Sequence, residues 1–257
     1  MKKTLCCVCA ALALVVPCLA MGQSWDGTWK LNEAKSKLSG TTFTYEDKGN
    51  GMLHYSDGSF AYDYACDGKP YTTLPNSTVT CTGSAQTGYD YVYKTDSKVT
   101  GKARRTFSAD GKIMTVHGTD MRPDGTTADW TNVNKRLSGT NGIVGKWINT
   151  KAESVPDVVV IETKGDWIKF YVPAYKVTVE GNVDGSQLAM KGPTLPPGLT
   201  TTYKREGSNK LRSTTSLNGK LTGEEMMTLS ADGKTFIDEN WAPGKMNEKT
   251  VGIYERQ

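Results

Sequence analysis

The eleven residues Thr106–Val116 read TFSADGKIMTV, and Thr228–Asp238 read TLSADGKTFID. The pentapeptide Ser-Ala-Asp-Gly-Lys therefore occurs twice, 122 positions apart, each time between short apolar or β-branched runs. An Asp-Gly pair closes a tight hairpin, because glycine adopts a positive φ and aspartate caps the turn backbone. If Asp110 and Asp232 were catalytic, a His or Glu should recur at a matching offset in both copies, and none does. We therefore interpret both stretches as hairpin tips.

The register of these hairpins is left open by the sequence. A three-residue loop pairs Phe107 with Ile113, whereas a four-residue loop pairs Phe107 with Met114, and Leu229 faces the same choice. Because side chains alternate between the two faces of a strand, a shift of one residue exchanges the buried face for the exposed one.

Two copies of one unit make up most of the chain. Gly27-Thr28-Trp29 opens the first copy and Gly145-Lys146-Trp147 opens the second, and the copies end in similar segments at Arg136 and Arg256. Such self-similarity indicates a duplicated structural unit. We therefore predict a signal peptide over residues 1–22, a first domain over 23–137, a linker over 138–144 and a second domain over 145–257.

Each copy has the pattern of short antiparallel strands. The chain contains ten Asp-Gly or Asn-Gly pairs, and alternation between them places Tyr89, Tyr91 and Tyr93 on one face of a strand. Many short strands with hairpin-sized connections favour a meander, and closure into a barrel removes the exposed edges. The predicted fold class is all-β, with two tandem small antiparallel β-barrels of roughly eight to ten strands each.

The segment GTWKL at Gly27–Leu31 resembles the first strand of the calycins, which include the lipocalins and fatty-acid-binding proteins. More of the first copy, with GTWKLNEAKSK, FTYEDKGNG and FSADGKIMTV, is similar to exported bacterial proteins with lipocalin-like domains. The resemblance implies that a tryptophan of the first strand packs on an arginine from the end of the barrel. The expected pairs are Trp29 with Arg136 and Trp147 with Arg256.

The N-terminus has the three parts of a bacterial export signal. Lys2 and Lys3 precede an apolar stretch, and Ala20-Met21-Gly22 offers a small-residue cleavage site. The apolar stretch is short for a membrane span. We therefore expect a periplasmic or secreted protein without an integral membrane segment after cleavage.

Cleavage would leave two cysteines, Cys66 and Cys81. In an oxidising compartment a pair fifteen positions apart predicts one disulfide. The alternative, a redox or metal site, has neither the CxxC spacing nor nearby histidines.

Several classes of function are disfavoured by the residues. Removal of Lys2 and Lys3 leaves 29 basic against 27 acidic residues with no long basic run, so nucleic-acid binding has no electrostatic basis. The adjacent carboxylates Glu224-Glu225 and Asp238-Glu239 point to opposite strand faces, so neither pair should hold a metal ion. We predict no catalytic residues, no cofactor and no metal.

Aromatic residues remain as the material for a binding site, since tyrosine and tryptophan combine an apolar face with one polar group. The candidate pocket residues are Tyr89, Tyr91, Tyr93, Trp130, Trp167, Tyr171, Trp241 and Tyr254. We expect a non-catalytic protein that holds a small apolar or amphipathic molecule in a lipocalin-like barrel. Two alternatives stay open. One is an interaction module with side-chain-filled barrels, and the other is an enzyme using His54, Asp63 and Asp67. The sequence sets neither the ligand nor the oligomeric state.

Overall fold

The structure, a computed structural model, describes residues 24–140, 142–156 and 158–257. The predicted signal peptide lies outside the described residues. The described part of the chain is all-β, which confirms the predicted fold class. Its only helical elements are three short 3₁₀ turns at Glu33–Lys35, Pro173–Tyr175 and Met246–Glu248.

Residues 24–140 contain ten strands. They are β1 (Gly27–Leu31), β2 (Thr42–Gly49), β3 (Met52–Ser56), β4 (Ala61–Ala65), β5 (Pro70–Leu74), β6 (Ser77–Ser84), β7 (Gly88–Thr95), β8 (Lys98–Phe107), β9 (Ile113–Met121) and β10 (Thr127–Ser138).

Ten more strands follow. They are β11 (Gly145–Glu153), β12 (Val158–Lys164), β13 (Trp167–Val172), β14 (Val177–Asn182), β15 (Asp184–Ala189), β16 (Leu199–Arg205), β17 (Lys210–Leu217), β18 (Lys220–Leu229), β19 (Thr235–Trp241) and β20 (Thr250–Arg256).

The strands form two antiparallel sheets of ten strands, each nearly closed into a barrel. Barrel 1 has the order β4-β3-β2-β11-β10-β9-β8-β7-β6-β5, and barrel 2 has the order β14-β13-β12-β1-β20-β19-β18-β17-β16-β15. Neighbouring strands are mostly consecutive in sequence, as expected for hairpin-connected meanders.

The first strands of the two copies are exchanged. Strand β1 pairs with β12 and β20 of barrel 2, whereas β11 pairs with β2 and β10 of barrel 1. The predicted contiguous domains, 23–137 and 145–257, therefore differ from the two barrels by one strand each. The chain crosses between the barrels twice, after β1 and after β11.

The short connection after β10 explains the exchange. The segment 138–144, predicted as a linker, joins β10 directly to β11 in a hairpin in which Arg136 lies opposite Trp147. Because antiparallel strands joined by a short turn pair with each other, β11 completes barrel 1 instead of opening a separate barrel. The place between β12 and β20 is then filled by β1.

The predicted closure residues are all present in these contacts, but the predicted pairing was wrong because of the exchange. The Arg256 guanidinium carbon lies 4.2 Å from the Trp29 ring centroid, and that of Arg136 lies 4.2 Å from the Trp147 ring centroid. Both indoles are fully buried. A guanidinium over an indole face is favourable because the ring quadrupole attracts the cation.

The repeated Ser-Ala-Asp-Gly-Lys tips are part of these closures. Nε of Arg136 donates to the Gly111 carbonyl at 2.8 Å, and Nε of Arg256 donates to the Gly233 carbonyl at 2.8 Å. In each tip the aspartate accepts hydrogen bonds from the serine hydroxyl and the lysine N–H, which lowers the pKa of Asp110. The tips therefore present a carbonyl to the closing arginine.

The register at both tips is the four-residue alternative. Phe107 lies opposite Met114, and Leu229 lies opposite Phe236. This register places Leu229 and Phe236 among the buried residues of barrel 2 and Met114 among those of barrel 1.

Each barrel has one seam without a continuous strand ladder. In barrel 1 the predicted disulfide is confirmed: it joins Cys66, just after β4, to Cys81 of β6, with the Cα atoms 4.3 Å apart. In barrel 2 the seam is bridged by Thr178 and Lys191, which exchange two backbone hydrogen bonds of 2.8 Å. The seam of barrel 1 has no backbone bridge like the one between Thr178 and Lys191 in the described residues. The disulfide connects the two sides of that seam instead.

Candidate functional site

The interior of barrel 1 is filled by tyrosines around one arginine. The Arg105 guanidinium carbon lies 3.7 Å from the Tyr91 ring centroid, and Nη2 donates to the Tyr93 hydroxyl at 3.2 Å. The Tyr64 and Tyr91 hydroxyls are 3.0 Å apart, and burial raises the pKa of Tyr64 far above its usual value. These phenols therefore stay neutral, and their rings and hydroxyls occupy the space that a ligand would need.

The interior of barrel 2 is packed by aromatic stacks. Phe170 stacks on Tyr203 with centroids 4.7 Å apart, and Phe236 stacks on Tyr254 at 4.6 Å beneath Trp29. Aromatic pairs at such distances add to the stability gained from burial alone. Both barrels thus have cores formed by their own side chains.

A cavity of about 580 Å³ lies between the two barrels. We call it the inter-barrel cavity. Its volume lies within the range of small-molecule sites in proteins. Barrel 1 and its rim contribute Phe43, Tyr55, Asp57, Asn132, Asn134, Asn149 and Ala152, and barrel 2 and its rim contribute Thr215, Gly223, Glu224, Glu225, Asn240, Trp241, Lys245, Glu248 and Thr250.

Asn149 gives the cavity an unpaired hydrogen-bond acceptor. The residue is 7% exposed, and its Nδ2 donates to the carbonyls of Val133 and Lys151 and to Oδ1 of Asn134, which fixes the orientation of the amide. Its Oδ1 is buried without a hydrogen-bond partner among the described residues. An unpaired buried acceptor costs free energy unless a ligand or water donates to it.

Glu225 and Asp238 form a carboxyl pair on the barrel 2 side. Their side chains share a hydrogen bond, and Glu225 also lines the cavity. Burial, together with the charge of Glu225, raises the pKa of Asp238 well above its usual value. Two carboxyl groups in contact cannot both ionise easily, so Asp238 keeps its proton to a higher pH than an exposed aspartate does.

This pair was missed by the sequence analysis, which considered only adjacent carboxylates. With Leu229 opposite Phe236, the same face of β18 and β19 carries Glu225 and Asp238, and Met227 lies opposite Asp238. The other register would have turned Glu239 inward in place of Asp238. Whether Glu225 and Asp238 meet therefore depends on the register of the hairpin, which the sequence left open.

A loop of barrel 2 is fastened to the rim of barrel 1 beside the cavity. Glu248 accepts hydrogen bonds from the backbone N–H and the hydroxyl of Thr42, at 2.9 and 2.8 Å. Nζ of Lys245 donates to the carbonyls of Thr42 and Asp57 at 3.0 Å and lies 3.6 Å from Glu248. These bonds hold the two barrels together and engage the lysine charge at the rim.

A second cavity, of about 380 Å³, shares the lining residues Asn132 and Ala152 with the inter-barrel cavity. Its lining includes Trp130, whose Nε1 donates to Oδ1 of Asp120 at 3.0 Å. The hydroxyl of Tyr175, from barrel 2, donates to Oδ2 of Asp120 at 3.2 Å. Polar groups here are engaged with one another across the two barrels.

The eight predicted pocket residues are distributed over several places. Trp241 lines the inter-barrel cavity and Trp130 the smaller cavity. Tyr89, Tyr91 and Tyr93 lie in the barrel 1 core and Tyr254 packs against the barrel 2 core. Trp167 and Tyr171 are half-buried on β13 and line neither cavity.

The residues of the enzymatic alternative lie on the outside of barrel 1. His54 Nδ1 and Asp63 Oδ1 are 2.6 Å apart, with the Asp63 side chain 54% exposed. Asp67 is engaged instead with Lys69 and the Tyr71 hydroxyl. The linings of the two cavities include none of His54, Asp63 and Asp67.

Within the described ranges, no three or more His, Cys, Asp or Glu side chains are grouped so that they could hold a metal ion. The same ranges contain no helix long and apolar enough to span a membrane. No family model matches the chain, and neither the curated proteins nor the solved structures include a significant match to it.

Proposed function

We propose that this protein is an exported, non-catalytic binding protein that holds a small amphipathic molecule in the inter-barrel cavity. The observation that carries the proposal is the cavity itself, of about 580 Å³, with polar and aromatic lining residues from both barrels. Ligand pockets of this kind combine apolar faces with a few polar groups that orient the bound molecule. The proposed site thus lies between the barrels and not inside one of them.

The lining supplies both kinds of contact. Phe43, Tyr55 and Trp241 offer aromatic faces, and burial of apolar ligand surface against them would contribute about 25 cal/mol per Å². Asn149 and Glu225 offer acceptors that orient a polar group. The rim bonds of Lys245 and Glu248 hold the two sides of the site in a fixed relation, which reduces the entropic cost of binding.

Export is part of the proposal. The Cys66–Cys81 disulfide agrees with an oxidising compartment, where such bonds persist. The resemblance to lipocalin-like exported proteins remains a prediction from the sequence. N-terminal sequencing of the mature protein should find Gln23 as its first residue, and a mature chain that retains residues 1–22 would contradict export by this signal.

Native mass spectrometry of protein purified from its own cells tests the binding function. We expect an additional mass that is lost on denaturation. Gly223 offers a way to fill the cavity, because a Cβ at this position would meet only Thr215 Cβ, at 3.9 Å. Gly223→Leu should abolish the additional mass, and Gly223→Ala, which adds one methyl group, should retain it.

Repeated isolation of the protein without a bound molecule would count against the proposal. So would the absence of any thermal shift with fatty acids, alkylamines or alkanols. The second candidate, an interaction module with filled barrels, is favoured by one observation: the aromatic cores of both barrels leave their interiors occupied by side chains such as Tyr91 and Phe236. This second candidate predicts that Gly223→Leu leaves the binding of the protein to its partners unchanged.

A further inference from the structure

The cavity lining contains donors, such as the amides of Asn132 and Asn240, and acceptors, of which the Asn149 oxygen and the Glu225 carboxyl bear on the class of ligand. Oδ1 of Asn149, a lining residue, is buried without a donor among the described residues. Glu225 also lines the cavity, and its carboxyl shares a hydrogen bond with Asp238, which lies outside the lining. These two acceptor groups belong to different barrels. They provide two independent indications that the occupant of the cavity donates hydrogen bonds.

The charges around the cavity support the same conclusion. Glu224 is paired with Arg212 at 2.9 Å, and the Asp57 carboxylate accepts the backbone N–H groups of Ser59 and Phe60 at 2.8 Å. Glu248 is bound to Thr42 as described above. Glu225, by contrast, forms no ion pair with a lysine or arginine of the described residues, and its partner is the Asp238 carboxyl.

Lys245, the one lysine or arginine that the described residues contribute to the lining, does not pair with Glu225. Nζ of Lys245 donates to Thr42 and Asp57 at the rim and lies 3.6 Å from Glu248. These contacts already occupy the donors of an ammonium group, which has three. A bound anion would therefore find no free cationic partner in this lining, whereas a bound cation would find one.

We propose that the molecule bound in the inter-barrel cavity carries a protonated primary amine beside an apolar segment, with Glu225 and the unpaired oxygen of Asn149 as acceptors of its N–H groups. This inference rests on the proposed function and specifies the class of its ligand. An organic ammonium fits this lining better than a metal ion, because the described residues group no three metal-ligating side chains. Aromatic faces such as Trp241 also attract an ammonium group.

A set of matched probes tests the inference on the full chain. We would titrate the protein with n-octylamine, n-octanol and octanoate and measure binding by calorimetry and tryptophan fluorescence. Octylamine should bind most tightly. Glu225→Gln should weaken octylamine binding about 10- to 100-fold, the loss typical of a hydrogen bond to a charged group. The matched control, Glu46→Gln, removes an exposed carboxylate of β2 and should leave binding unchanged.

The outcomes separate this inference from the proposed function. Binding of octanol or octanoate as tightly as octylamine overturns the amine preference and leaves the binding function intact. An unchanged octylamine affinity in a folded Glu225→Gln protein, verified by circular dichroism, also overturns it. If none of the three probes binds, both the amine preference and the proposed binding function fail. The comparison of probes on the unmodified protein gives a result even if the variant does not fold.

Discussion

Arg256 covers the indole of Trp29 with its guanidinium carbon 4.2 Å from the ring centroid, although the two residues lie near opposite ends of the chain. The indole Nε1 donates to the Trp25 carbonyl at 2.9 Å, and Nη2 of Arg256 donates to the Ser24 carbonyl at 2.6 Å. The same arrangement joins Arg136 to Trp147. Each barrel is therefore closed by residues of both copies, and neither half of the chain contains a complete barrel.

A double-mutant cycle should detect this exchange. Trp29→Phe combined with Arg256→Lys should show a coupling energy of about 0.5–2 kcal/mol, because the planar guanidinium loses both its ring partner and its fixed hydrogen-bond geometry. Trp29→Phe combined with Arg136→Lys should be additive within about 0.5 kcal/mol. Urea denaturation of the five variants and the unmodified protein measures both quantities. A coupling of Trp29 to Arg136 instead would contradict the strand exchange.

Two glycines in strands should differ in their tolerance of alanine. A Cβ at Gly118 would come within 2.1 Å of the Trp130 ring, whereas a Cβ at Gly223 would meet only an atom at 3.9 Å. We expect Gly118→Ala to destabilise the protein by about 1–3 kcal/mol through overpacking, and Gly223→Ala to change stability by less than about 1 kcal/mol. Thermal or urea unfolding distinguishes the two. Equal effects would show that Trp130 does not pack on Gly118.

Asp238 should make the protein less stable as the pH rises. Burial and Glu225 raise the pKa of Asp238 in the folded state, so the folded state binds a proton more tightly than the unfolded state does. The resulting stabilisation is complete below the unfolded pKa of about 4 and is lost as the pH rises towards the folded pKa, by at most about 1.4 kcal/mol per pH unit. The charged or titratable groups that face Asp238 are Glu225, Tyr203 and its neighbour Glu239.

Asp238→Asn keeps the shape of the protonated carboxyl and removes its titration. The stability of this variant relative to the unmodified protein should therefore increase between pH 4 and pH 8, as measured by urea unfolding. Asp232→Asn is the control: hydrogen bonds from Ser230 and Lys234 lower the pKa of Asp232, so its contribution is lost only as the pH falls below about 4, and this variant should show no such increase between pH 4 and pH 8. A difference that does not vary with pH would exclude a raised pKa for Asp238.

The disulfide should stabilise barrel 1 through its seam. Replacing both Cys66 and Cys81 by alanine should lower the free energy of unfolding by about 3 kcal/mol, the value of the chain-entropy model for a loop of this length. Reduction of the unmodified protein should lower its melting temperature in the same direction. A loss below about 0.5 kcal/mol would mean that the contacts of β4 with its neighbours hold the seam without the covalent bond.

Much of the architecture could be predicted from local patterns. Asp-Gly and Asn-Gly pairs marked several of the hairpins, such as those at Asn50-Gly51, Asp124-Gly125 and Asn218-Gly219, although Asp184-Gly185 lies at the start of β15. The paired cysteines gave the disulfide. The partners of Trp29 and Trp147 could not be predicted, because GTWKL and GKWIN have the same strand pattern and fit the same place in either barrel. The choice between them depends on the short hairpin that joins β10 to β11, and so on which strand reaches the vacant place first along the chain.

The candidate site was less accessible to sequence reasoning. Glu225 and Asp238 are thirteen positions apart and lie on adjacent strands, so their meeting depends on the register of the hairpin between them. Asn149 lines the cavity because its strand, β11, belongs to barrel 1. A cavity between two barrels also depends on how the barrels pack, which no single strand pattern specifies.

The sequence by itself determined the all-β class, the duplication, the repeated hairpin tips and the residues of the closure clusters and the disulfide. These properties follow from side-chain alternation and turn chemistry, which act over a few residues. The tertiary structure decided the strand exchange, the facing carboxyl pair and the inter-barrel cavity. These properties arise from contacts between distant segments, where one residue of register or one exchanged strand changes which side chains meet.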